Sequence, residues 1–223
     1  MDERIAIAGV LAYGYLLGSI PISYVIGRLV KGVDLREVGS GTVGASNVWY
    51  NVGHAWIFPV GVFDVFVKGM TPALVARAFD LELGPQVGAS LLAIVGHNWP
   101  VYLKFQGGRG VAPTVGVLLS LGRLELAVFL VMATAGWQLT QSAAVWVLIG
   151  FGSLPLLALW WGRPAEIIGL MAGVLLITGG KRLTSNSLSS PGVPFPRLML
   201  NRLLFDRDIA DHDAWIRRNT TSE

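Results

Sequence analysis

The chain has 223 residues, 53% of them hydrophobic and only 14% charged, with a mean hydropathy of +0.59. A water-soluble domain carries roughly 25% charged residues, so a soluble globule is excluded. The net charge of +3 comes from basic residues dispersed among loops, with no stripe for nucleic acid. Cysteine is absent, which removes disulfide frameworks and thiolate metal sites, and His54, His97 and His212 lack metal-ligand spacing, so neither a metal nor a cofactor is expected.

In chain order, seven apolar segments follow at about 5–28, 54–79, 85–105, 111–121, 124–139, 142–161 and 164–180. The first exceeds the roughly 20 residues needed to cross a bilayer core. Asp2 and Glu3 spoil the basic start of a signal peptide, and no cleavage site closes the run, so a cleaved leader is not expected. Gly9, Gly14 and Gly18 in that segment have the spacing that lets membrane helices approach closely. The fourth segment is too short to cross unaided and predicts a half-length or tilted helix. The expectation is an all-α membrane protein of about seven transmembrane helices with glycine-rich cytoplasmic loops. Residues 1–183 form the membrane domain and 184–223 a polar cytoplasmic tail, with no internal repeat.

If the segments alternate, Arg28, Lys31, Arg36, Lys104, Arg109, Lys181, Arg182 and the tail's arginines share one side. The other side holds Arg4, Arg77, Arg123 and Arg163. The positive-inside rule then puts the N-terminus outside and the tail in the cytoplasm of a multi-pass cell (inner) membrane protein.

Two glycine-rich loops fall on the cytoplasmic side. The first, Gly39-Ser40-Gly41-Thr42-Val43-Gly44, has the G-x-G-x-x-G spacing of a dinucleotide loop. It joins two membrane segments, with no strand before it, so it is not a dinucleotide fold. Glycines there permit positive φ, and successive amides form an anion-binding nest; Ser40, Thr42, Ser46 and Asn47 add side-chain donors. The second loop, Gly107-Gly108-Arg109-Gly110, adds a guanidinium that can grip two phosphate oxygens. Two readings fit these loops: tight interfacial turns between helices, or one phosphate site. Within the second segment, Asp64 and Lys68 stand i, i+4 on one helix face, a spacing that favours mutual pairing over contact with substrate.

Taken together these runs resemble the bacterial acyl-phosphate:glycerol-3-phosphate acyltransferase family over about residues 5–183. That family's first motif resembles "GSGTVGASNVWY", and its D-x-x-x-K-G element matches Asp64, Lys68 and Gly69. Its second motif is matched by Gly96, His97, Trp99 and Pro100, then Phe105, Gly107, Gly108, Arg109, Gly110, Val111 and Ala112. The resemblance implies transfer of a fatty acyl group from acyl phosphate to glycerol 3-phosphate, giving lysophosphatidic acid. Phosphate is a good leaving group, so positioning and oxyanion-type stabilisation can carry the rate without a covalent intermediate. By the same resemblance Ser40 and Arg109 are the catalytic candidates. Gly39, Gly41, Thr42, Gly44, Ser46, Asn47, His97, Gly107 and Gly108 are the substrate-binding ones, joined on grounds of charge by Lys104 and Arg182, and Asp64 and Lys68 support them. A nucleophilic Ser40 with His97 or His54 as base is an alternative that no spacing favours.

Five positions depart from the pattern, two of them tolerably as donors: Thr42 stands where the family has Asn and Arg109 where it has Lys. Tyr50 replaces an arginine, and Leu176 and Gly179 stand where the third motif has His and Asn, leaving only Lys181-Arg182-Leu183. Arg182, with Lys104, Lys181 or Asn186 as substitutes, is therefore the expected acceptor-phosphate residue. Two rival readings follow: a divergent paralogue with another acceptor or no activity, and a non-catalytic anion or lipid transporter. The tail run 196–218 interleaves Leu198, Leu203, Leu204, Ile209, Trp215 and Ile216 with arginines, which predicts a helix on the membrane surface; its four aspartates fit a loose tail instead.

Overall fold

The structure, a computed structural model, describes residues 2–186, 192–209, 211 and 215. The helices are α1 (Glu3–Gly18), α2 (Ile22–Lys31), α3 (Ala45–Asn51), α4 (Ile57–Val62), α5 (Thr71–Ala78), α6 (Leu83–Asn98), α7 (Val111–Leu121), α8 (Arg123–Thr140), α9 (Ala143–Trp160), α10 (Ala165–Thr184) and α11 (Phe195–Phe205). A π-helical stretch, Phe63–Met70, joins α4 to α5. Among the described residues there is no strand element. Four spans are long and apolar enough to cross a membrane: Glu3–Lys31, His54–Ala78, Ala143–Trp160 and Ala165–Thr184.

The helix boundaries follow local chemistry. The first apolar segment is two helices, because Pro21 cannot supply the amide that would continue α1. The third ends as α-helix at Asn98, just ahead of Pro100. The fourth is an 11-residue helix, about 16 Å at 1.5 Å per residue, roughly half a hydrocarbon core.

Small residues set the crossings. A Cβ on Gly14 or Gly18 of α1 would strike the backbone carbonyls of Ala89 and Ala93 on α6, whereas Gly9 faces open space. A Cβ on Gly116 would strike the Val65 carbonyl, and one on Gly69 would lie 2.7 Å from the Gly116 Cα. The backbones of α7 and the π-helical stretch are therefore in contact, which fixes Asp64 and Lys68 relative to the loop that precedes α7. The main core fills the space between α6, α7, α8, α9 and α10, with Phe129 and Phe151 stacked at 4.4 Å. At the end away from the glycine loops, Arg163 pairs at 2.8 Å with the fully buried Glu125.

The described part of the tail does not lie loose. α11 packs on α9 and α10 and buries Leu198, Asn201 and Arg202, while Phe195 and Leu200 face outward. Ile216 and the two arginines after it lie outside the described residues, as does His212.

Candidate active site

Both glycine loops, the end of α10 and α11 meet at one end of the bundle. The first loop is anchored at Asp34. Its carboxylate takes ion pairs from Arg36 at 2.7 Å and Arg28 at 2.9 Å, plus the Arg36 amide at 3.0 Å. These contacts, the Arg36 side-chain hydrogen bonds foremost, hold the Asp34 carboxyl below its ordinary value of 3.8. Asn47 then staples the loop from beneath. Its amide nitrogen donates to the carbonyls of Leu35, Val38 and Thr42 at 2.8–3.0 Å, and its oxygen accepts from Asn51 at 2.7 Å. Asn47, expected as a substrate donor, is thus spent on holding the loop.

Gly39 and Gly41 have φ of 57° and 67°, the left-handed region where glycine carries no Cβ penalty. Gly44, at φ −153°, is extended, and a Cβ there would meet nothing within 4 Å. Its glycine is not demanded by the protein's own packing. The Ser40 and Thr42 hydroxyls are 2.7 Å apart. No hydrogen bond joins Ser40 to either described histidine: His54 stacks on Trp49 at 3.9 Å, and His97 lies under the second loop. Ser46 and Tyr50 are exposed on α3.

The second loop sits on His97. The Gly108 amide donates to the His97 carbonyl at 3.0 Å, and a Cβ on Gly108 would overlap the imidazole Nε2. The Lys68 Nζ is 3.3 Å from His97 Nδ1 and 2.8 Å from Asp64, all three residues being buried. A π-helical stretch is a common device at functional positions, and here it seats the Asp64–Lys68 pair below the loop. A pocket with room for about one water is lined by Ser19, Ser23, Val43, Lys68, His97, Pro100 and Gly107. Asp64 and Lys68 pair with each other, as their spacing predicts. Lys104 is exposed in a left-handed turn, with no hydrogen bond to the other site residues.

The loops are tied to one another and to the end of α10. The Val43 amide donates to the Gly107 carbonyl at 3.3 Å. Asn186 donates to the carbonyls of Gly41 at 2.6 Å and Gly107 at 3.3 Å, and accepts from the buried Lys181 Nζ at 2.8 Å. That ammonium also lies 5.4 Å over the Trp99 ring. Arg109 donates through Nη1 to the Lys181 carbonyl and through Nη2 to Ser185, and its Nε is 2.9 Å from Asp206 of the tail. Arg182 is not brought to the loops. Its guanidinium is buried on the far side of α10, donating to the carbonyls of Leu203 and Ala144 at 2.8 and 2.7 Å. One helical position separates Lys181 from Arg182, and about 100° of rotation sends them to different neighbours.

The comparisons with known proteins converge on one family. The family model for glycerol-3-phosphate acyltransferase matches residues 8–186. Glycerol-3-phosphate acyltransferase 4 of Dehalococcoides mccartyi is 38% identical over 94% of this chain and 92% of its own length. The glycerol-3-phosphate acyltransferase of Gloeobacter violaceus is 36% identical over 76% of this chain and 85% of its own. The crystal structure of PlsY (YgiH), an integral membrane glycerol 3-phosphate acyltransferase in its glycerol 3-phosphate form, superposes with a TM-score of 0.71 at 28% identity, covering 81% of this chain and 94% of that one. The Dehalococcoides match therefore runs past position 206, into a tail that the family model leaves unmatched. By the span of that match and the shared membrane fold, the chain belongs to the glycerol-3-phosphate acyltransferase family.

Proposed function

We propose that the two tied loops form one phosphate-handling site, which transfers a fatty acyl group from acyl phosphate to glycerol 3-phosphate. The observation that carries this reading is the Asn186 amide, which bonds to both loops at once and makes them a single cradle at the membrane edge. The glycerol hydroxyl oxygen bonds to the acyl carbon, the acyl–phosphate bond breaks, and the hydroxyl proton leaves with inorganic phosphate; lysophosphatidic acid is the lipid product. Nothing in this balance needs a metal or an enzyme nucleophile, which fits a Ser40 hydroxyl bonded to Thr42 instead of to a base.

In this reading the backbone of Gly39–Gly44 holds the donor's phosphate, with Ser40 and Thr42 as hydroxyl donors beside the reacting carbonyl. Arg109 and Lys181 supply positive charge for phosphate, in place of Arg182, which braces α10 against α9 and α11. His97, Lys68 and Asp64 form the floor that keeps Gly107 and Gly108 in place, and the exposed Lys104 and Ser46 lie at the rim. All seven segments cross or enter the bilayer, the N-terminus is outside, and the loops and tail are cytoplasmic; a reporter fused after Glu223 that reads outside contradicts this topology.

Gly44→Leu tests the donor site with little disturbance of the fold, because a Cβ there meets no protein atom within 4 Å and the backbone is extended. It is expected to raise the acyl-phosphate KM about tenfold or more by filling the nest, with an unchanged melting temperature. An unaltered KM in the lysophosphatidic acid assay removes the donor from this loop.

A second reading, a different polar alcohol as acceptor, is favoured by one observation: Tyr50 is 55% exposed on α3 and offers a neutral hydroxyl where the family pattern has arginine. Tyr50→Arg separates the two. Under the first reading it tightens glycerol 3-phosphate; under the second, neither form turns over glycerol 3-phosphate.

A further inference from the structure

The tail reaches the site through one carboxylate. Asp206 follows α11 in the left-handed conformation, at φ 56° and ψ 36°. An acid there faces the negative end of a helix dipole, and the left-handed backbone, though more open to Asp than to most residues with a Cβ, still carries a cost. Both costs are offset by Arg109, whose Nε lies 2.9 Å away with both side chains largely buried. The position of Asp206 is itself held by a reciprocal clamp. Arg182 of α10 donates to the Leu203 carbonyl of α11, and Arg202 of α11 donates to the Leu183 carbonyl at the end of α10. Asp208 completes the clamp with a 2.6 Å pair to Arg202.

The three nitrogens of Arg109 are thereby each assigned. Nε is 2.9 Å from Asp206 in an ion pair, Nη1 donates to the Lys181 carbonyl, and Nη2 donates to Ser185. Since a guanidinium carries five N–H donors in a rigid fork, contacts on these edges determine where the remaining N–H groups aim. A lysine at this position would meet Asp206 as a point charge, with no planar fork for the carboxylate to orient.

We propose that Asp206 is a positioning residue for acyl transfer, and that the tail is part of the active site of this chain. Its carboxylate fixes the Arg109 fork so that the free N–H groups face the phosphate of a substrate, and Arg109 and Asp206 act as a matched pair. The proposal rests on the site reading above, in which Arg109 meets phosphate.

A double-mutant cycle tests it with purified full-length protein, measuring kcat and the KM of both acyl phosphate and glycerol 3-phosphate. Asp206→Asn is expected to raise one of the two KM values about tenfold or more through loss of alignment, with the melting temperature preserved and Asp206→Glu restoring part of the loss. In the Arg109→Lys background, the same Asp206→Asn change is expected to alter that KM less than about twofold, because the lysine has no planar fork to orient. Equal losses in both backgrounds, or a lower KM in Asp206→Asn, overturn the proposal; the first makes Asp206 merely structural and the second makes it a competitor of phosphate. Arg109→Ala, measured beside the cycle, tests the site reading on its own: full activity in that variant means the site reading itself is wrong.

Discussion

Gly108→Val is expected to abolish acyl transfer, with a loss of about 100-fold or more in kcat/KM. A Cβ at this position would overlap the His97 ring and lie 2.8 Å from the Val43 carbonyl oxygen. One neighbour is the floor of the second loop and the other is the wall of the first. Neither can yield cheaply, since His97 is held by Lys68, and Val43 donates its amide to Gly107. A branched side chain therefore pushes the two loops apart at the point where they touch. The helices beneath are untouched, so thermal unfolding in detergent should remain cooperative. Near-normal activity of Gly108→Val would mean that contact between the loops is not required for the chemistry.

Gly116→Leu has the largest expected effect on stability, a loss of at least about 3 kcal/mol, the upper end of the overpacking range. The position lies in α7, where a Cβ would overlap the Val65 carbonyl and come within 2.8 Å of the Gly69 Cα. Both obstacles are backbone, so no rotamer change relieves them. The expected result is poor recovery from the membrane or a melting temperature many degrees lower. Gly9→Leu is the matched control, because Gly9 faces open space, and it should be tolerated. If the two variants melt together, close backbone contact is not what holds α7 to the π-helical stretch. This contact matters to function because α7 starts directly after the Arg109 loop and the π-helical stretch carries Lys68.

How much of this was legible in the sequence depends on the range of the contact. Glycine spacing marked both loops, and the i, i+4 spacing of Asp64 and Lys68 placed them in one pair. Both are local patterns set by backbone geometry. The membrane class was legible from composition alone. The role of Asn47 was not, because its donors go to three backbone carbonyls that only the folded loop brings together. Nor was the role of Arg182. Sequence places it at the end of an apolar segment, but whether it or Lys181 faces the loops depends on how α10 is rotated against α9 and α11. The most distant contacts were the least visible. Asn186 is 145 positions from Gly41, and no periodicity links them. The tail's aspartates read as loosening a surface helix, whereas two of them, Asp206 and Asp208, pair with Arg109 and Arg202.

If the tied loops transfer an acyl group between two phosphate-bearing substrates, phosphate release and lipid formation are one event. The most direct measurement is inorganic phosphate release from acyl phosphate by the purified protein in bilayer nanodiscs, with and without glycerol 3-phosphate, alongside mass detection of the lipid product. The expected result is phosphate release that depends on glycerol 3-phosphate and matches lysophosphatidic acid mole for mole. Release that is the same without acceptor, or acceptor-dependent release with no lysophosphatidic acid, would contradict it.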